Sequence, residues 1–175
     1  QRAKNWGIDL AVDDRSAPTP MFSPPKEFPD ELFQARHLGE NEYVHQRFSL
    51  ARPMTIRIYA LGERDFGESF ADYGWVVDMK TRKRVWEMER SNVRSAGGAE
   101  KNVQFDEPVA FPAGEFTVYY VSDGSHSYAD WNSPPPDDPL NYGITLLAEN
   151  PSDKGQFKLT SGTKEDQNVI VELTK

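Results

Sequence analysis

The sequence predicts an all-β chain, an antiparallel β-sandwich of jelly-roll type with long proline-rich loops. Three observations predict it. Apolar residues almost nowhere recur at helical spacing. They alternate instead, or run in short blocks rich in Val, Ile, Tyr and Phe that Gly, Pro, Asn and Asp interrupt. And 12% of the 175 residues are aromatic, bulk enough for a core despite a polar average. A barrel would share the pattern.

Taken in order, Tyr43–Leu50 and Met54–Leu61 read as strands, with Arg52-Pro53 as the turn between them, because proline cannot donate to a ladder. In the second, Met54, Ile56, Ile58 and Ala60 share one face, and Thr55, Arg57, Tyr59 and Leu61 the other. Tyr73–Asp78 and Lys83–Glu89 are the arms of a hairpin with Met79–Arg82 at its tip. A loop follows at Ser91–Ala99, where Gly97-Gly98 is free to take positive φ. Val103–Phe111 and Glu115–Val121 are joined through Pro112-Ala113-Gly114. Apolar residues occupy both faces of Glu115–Val121, which predicts a strand covered on both sides. Ile144–Ala148, Phe157–Thr160 and Val169–Leu173 complete the set.

Composition divides the chain into residues 1–30, an N-terminal strand and Pro-rich linker, and 31–175, the sandwich domain. Five prolines (Pro18, Pro20, Pro24, Pro25, Pro29) fall within 13–30. Residues 122–140 form a second irregular stretch, long enough to suggest a functional loop. Asn5-Trp6-Gly7-Ile8-Asp9-Leu10 matches Asn141-Tyr142-Gly143-Ile144-Thr145-Leu146 across an offset of about 136 residues. Three readings stand: the chain is one period of a repeat, its two ends are pseudo-symmetric, or the match is coincidence.

A net charge of −8 argues against nucleic acid or an anionic membrane as partner. The absence of cysteine removes disulfides, thiol catalysis and thiolate-held metals. Three histidines (His37, His45, His126) are few for an imidazole-rich zinc site. No stretch is long and apolar enough to span a membrane.

The densest polar segment is Ser122–Asn132 with Asp137-Asp138 after it. Its Asp123, Asp130, Asp137 and Asp138 have the hard oxygen chemistry of a calcium site, though without an EF-hand pattern; Asp, Asn and Ser bonding their own backbone is the competing reading. Ser125, His126 and Asp130 do not make a hydrolytic triad, since neighbouring side chains diverge in extended chain and no GxSxG elbow is present. Tyr128, Asp130, Trp131 and Asn132 pair flat rings with polar groups, the chemistry of sugar recognition, although the rings could equally fold back as a lid. Asp72 and Trp75, within the acidic and aromatic stretch at 62–78, are second candidates, with Trp75 expected in the core. Paired carboxylates in that stretch admit a glycosidase as a third function class.

The run Phe111-Pro112-Ala113-Gly114-Glu115-Phe116-Thr117-Val118-Tyr119-Tyr120 resembles the strand entry of bacterial pre-peptidase C-terminal (PPC-like) domains and related carbohydrate-binding-like sandwiches. Phe48–Leu50 with Met54–Ile58 is similar to that family's opening hairpin, and Tyr142–Leu146 to its closing strand. The chain departs from the family in the insert at 122–140 and the Asp72–Trp75 element. The resemblance implies a secreted, non-catalytic accessory module and carries over no functional residue. The reading that follows is an extracellular or cell-surface module binding glycan or a protein surface. Its main alternative is a structural subunit of a surface layer, adhesin or filament that assembles through terminal strands.

Overall fold

The computed structural model describes residues 28–161 apart from Phe66 and Glu68. The N-terminal linker up to residue 27, the motif at 5–10 and the expected strand Val169–Leu173 lie outside the described residues. Among the described residues ten antiparallel strands are present: β1 Glu31–Arg36, β2 Tyr43–Leu50, β3 Met54–Arg64, β4 Phe70–Asp78, β5 Lys83–Glu87, β6 Arg94–Ser95, β7 Asn102–Phe111, β8 Gly114–Val121, β9 Gly143–Ala148 and β10 Phe157–Thr160.

The strands form one continuous, nearly closed, barrel-like sheet, where the sequence pattern had favoured a two-layer sandwich. The main path runs β1-β9-β3-β4-β8-β2-β10. β7 lies along β3 from Met54↔Phe111 to Glu63↔Asn102, with β6 beyond it, and β5 flanks β4. Continuity depends on a short junction. The last residues of β3 pair with the first of β4, Glu63↔Asp72 and Arg64↔Phe70, with a shift of register between the pairs. From Tyr73 onward β4 turns to β8 instead.

The core follows the alternation. Met54, Ile56, Ile58 and Ala60 of β3 pack with Phe48, Val76, Trp86, Phe111, Phe116, Val118, Tyr120, Ile144 and Leu146. The opposite face of β3 is covered too: Tyr59 and Leu61 join Ala96, Tyr142 and Leu147 in a second cluster against which Phe28 and Trp131 pack. On β8, Thr117 and Tyr119 are as buried as Phe116 and Val118, so this strand is covered on both sides as its sequence suggested. Trp75 is buried as expected. It lies on the face away from the main core, stacked on Tyr119 at 5.1 Å with the Arg84 guanidinium over its ring.

Residues 122–142 join β8 to β9 with only an isolated bridge, Ser127↔Asp130, and a 3-10 turn at Pro139–Asn141. This long connection folds back over the end of the barrel where β3 meets β4.

Candidate functional site

Glu63 is next to last in β3, Asp72 is third in β4 and Asp123 lies two residues past β8, so the junction brings three acids from separate segments together. One carboxylate oxygen from each lies within 4.8 Å of the other two. Glu63 and Asp72 are buried, whereas Asp123 is exposed. Both oxygens of Asp72 are held: Oδ2 accepts from the Tyr142 hydroxyl at 2.5 Å and Oδ1 from the Asp123 backbone N–H at 2.8 Å. Glu63 Oε1 accepts from Lys101 Nζ at 2.8 Å, while Oε2 is buried without a partner.

Electrostatics follow from this burial. Desolvation pushes the Asp72 carboxyl up to about 7; the bonds from Tyr142 and Asp123 oppose that, and the charges of Glu63 and Asp123 add to it. Glu63 also lies above the usual carboxylate range through desolvation, against the pull of Lys101. Tyr120, whose hydroxyl donates to the Leu61 carbonyl at 2.6 Å, and Tyr142 are held neutral by burial.

Lys101 connects this cluster to the loop. Its ammonium also donates to Asn132 Oδ1 at 2.7 Å, and His126 Nδ1 lies 3.1 Å from the same oxygen. The other ring nitrogen, Nε2, meets Asn102 Oδ1 at 2.5 Å. Asn102 Nδ2 donates to the carbonyls of Gly97 and Pro134, which fixes its oxygen as the acceptor and gives His126 its proton on Nε2. Burial, then the Lys101 charge, lowers the His126 pKa. His126 itself sits at φ +59 and Ala129 at φ +72, left-handed conformations that turn the imidazole inward. With Nε2 bonded to the Asn102 amide and Nδ1 facing that of Asn132, the ring turns neither to Ser125 nor to Asp130.

The loop's ridge of prolines docks on the turn before β7. Gly97 and Gly98 take φ +78 and +64, as their pairing suggested, and the second has the Pro135 carbonyl where a Cβ would stand, at 1.8 Å. Ala99 N–H donates to the Pro134 carbonyl at 3.0 Å and Asp137 N–H to that of Ala96 at 2.8 Å.

The residues singled out by sequence separate into different environments. Trp131 is half-buried, edge-on to both His126 and Tyr142 with centroids 4.9 Å apart, and so closes over the network as a lid. Tyr128 is half-buried too, its ring 4.5 Å from that of exposed His37, and Asp130 two residues on is exposed. Asn132 is exposed but its oxygen is occupied as described. Of the four acids with calcium chemistry, Asp123 alone belongs to the three-carboxylate cluster. Asp138 accepts from the Tyr59 hydroxyl at 2.6 Å and from Asn141. Asp137 lies beside Gly97, and Asp130 is exposed across the bridge from Ser127. Asp72 is at the centre of the site, while Trp75 points to the other face of its strand.

Sequence reasoning grouped Glu63 only loosely with the acids at 62–78 and passed over Lys101, Asn102 and Tyr142 as site residues. The available signal was positional: each stands at the end of a strand, where side chains from different strands converge.

A groove of about 590 Å³ opens between the end of β1 and the loop, lined by Gln34, Ala35, Arg36, His37, Leu140 and Asn141. Leu140 is 57% exposed there. A second, of about 570 Å³, runs from Ser69, Phe70 and Tyr73 to Glu87–Ser91. A third, of about 280 Å³, lies along β2 and β10.

Among the described residues no helix is long and apolar enough to cross a membrane. No protein-family model matches the chain, and neither the curated proteins nor the solved structures yield a match.

Proposed function

We propose that the chain is a non-catalytic, extracellular β-module that binds a glycan or a protein surface at the loop end of the barrel. The observation that carries this reading is the division of labour within residues 122–142. Their inner half, His126, Trp131 and Asn132, is tied into the buried network, which holds the loop in one conformation. Their outer half leaves exposed Asp130 and half-buried Tyr128, whose ring lies against exposed His37, next to the Gln34–Asn141 groove. Flat rings beside fixed polar groups on a rigid support suit the CH faces and hydroxyls of sugars, and binding there loses little loop entropy. The likeness of Phe111–Tyr120 to secreted accessory sandwiches supports the same placing. Glu63 and Asp72 line none of these three grooves, so the grooves lend no support to a glycosidase built on that pair.

Oligosaccharide arrays followed by calorimetry test the proposal. Tyr128→Ala and His37→Ala each weaken binding tenfold or more while the melting temperature stays nearly constant. Unchanged affinity in both variants refutes the assignment.

Assembly through strands is favoured by one observation. β1 and β10 end the strand path, each paired on one side only among the described residues, and Leu159 of β10 is 51% exposed. Ordered fibres by electron microscopy support that reading, and monodisperse particles oppose it.

A further inference from the structure

We propose that Glu63, Asp72 and Asp123 form a site for a hard divalent cation, with calcium as its ion. Oxygen atoms within 4.8 Å of one another are at the spacing of ligands around a common Ca²⁺, whose bonds to oxygen are about 2.3–2.6 Å. The three acids come from the ends of different strands, so a bound ion would clamp β3, β4 and the exit of β8.

Acids alone would not make this a site. The separate observation is Glu63 Oε2: the residue is 6% exposed, its other oxygen is spent on Lys101, and Oε2 meets no donor. A buried carboxylate oxygen without a partner is destabilising, and native structures keep few such atoms. A cation beside the cluster removes that deficit. Charge points the same way. Among the described residues Lys101 is the one cationic side chain bonded to the cluster, Tyr120 and Tyr142 are neutral, and the His126 imidazole is directed to Asn102 and Asn132.

The cluster is also oriented for coordination. Tyr142 and the Asp123 N–H fix the Asp72 carboxylate, the role that outer hydrogen bonds play around metal ligands. Exposed Asp123 leaves the solvent side open for water to complete the six to eight oxygens that calcium takes.

The test uses the chain stripped with EDTA and exchanged into chelator-treated buffer at pH 7.5. Calorimetry with CaCl₂ is expected to give one equivalent with a Kd of about 10⁻⁵–10⁻³ M. The melting temperature should rise with Ca²⁺ and return on adding EDTA. Glu63→Gln and Asp123→Asn each weaken the affinity at least tenfold, while Glu107→Gln on exposed β7 surface does not. Asp123 is at the surface, so its variant keeps the test decisive if Glu63→Gln folds poorly. Terbium luminescence sensitised by Tyr142 and Trp131 gives a second readout, competed by Ca²⁺. No heat and no thermal shift at 10-fold above the weaker bound, or an affinity unchanged in both variants, overturns the proposal.

Discussion

The Tyr142 hydroxyl donates to Oδ2 of Asp72 at 2.5 Å, joining the residue before β9 to the first turn of pairing in β4. Both residues are fully buried, so the bond has no water to replace it. Tyr142→Phe should cost about 1.5–3 kcal/mol at pH 8, where the acceptor is charged, and less at pH 5. Urea denaturation at the two pH values measures it. An equal loss at both would mean that the hydroxyl does not bond a titrating carboxylate.

Asp72 and His126 give opposite pH dependences. The Asp72 carboxyl, raised from 3.8 to about 7, holds a proton in the folded state that the unfolded chain has released. Its favourable contribution is therefore complete below about pH 3.8 and disappears as pH rises through 7, with a ceiling of about 4 kcal/mol. His126, lowered from 6.5, stays neutral when the unfolded chain takes up a proton, so stability falls as pH drops below about 6.5. In metal-free buffer, His126→Gln should become more stable on acidification from pH 8 to 5.5 by more than the wild type does. Asp72→Asn should lose stability over the same interval. Parallel slopes for all three proteins would contradict this account.

Trp131 and Tyr128 are three residues apart yet should respond differently. Trp131→Ala removes the ring wedged against His126 and Tyr142 and should cost about 2–4 kcal/mol. Tyr128→Ala, half-buried against the exposed His37 ring, should cost about 1 kcal/mol or less. Thermal melts of the single variants separate the lid from the surface ring; comparable losses would put both in the packed interior.

Two glycines should distinguish the barrel from its loop. Gly143 begins β9 at φ +128, and a Cβ there would stand 2.1 Å from the Ala35 carbonyl oxygen of β1. Gly143→Ala should abolish the β1–β9 pairing and cost about 3 kcal/mol or more. Gly98→Ala drives a Cβ against the Pro135 carbonyl and should free the loop while the barrel keeps its cooperative melt. Amide exchange resolves the two: protection is lost at Ala35 in the first and at Ala99 and Asp137 in the second.

Strands with clean alternation were legible in the sequence. Met54–Leu61 divides into the two faces its pattern implies because every even position meets the main core. Glu31–Arg36 was legible only as strand character from Phe33 onward, since a register shift between Glu31 and Phe33 breaks its period and charged residues close both ends. Closure of the sheet was hidden for a different reason. It rests on two residue pairs at the β3–β4 junction, and no local pattern encodes which distant strand a residue meets. The site was half legible. Asp72 and Asp123 stand out as acids beside aromatics, but Glu63 and Lys101 look like ordinary surface charges until strand ends converge on them.

The pairing of β1 with β9 has a consequence in time. Phe33, Ala35 and their neighbours find their only described strand partner roughly a hundred residues downstream, at Gly143–Leu147. At about 5–20 residues per second, a ribosome needs roughly 5–20 seconds to deliver it. Throughout that interval the edge of β3 destined for β9 is vacant as well, because Ile56–Leu61 waits for the same strand. One late segment thus completes two pairings at once, and a nascent chain stalled before it would expose both edges to its neighbours on the polysome.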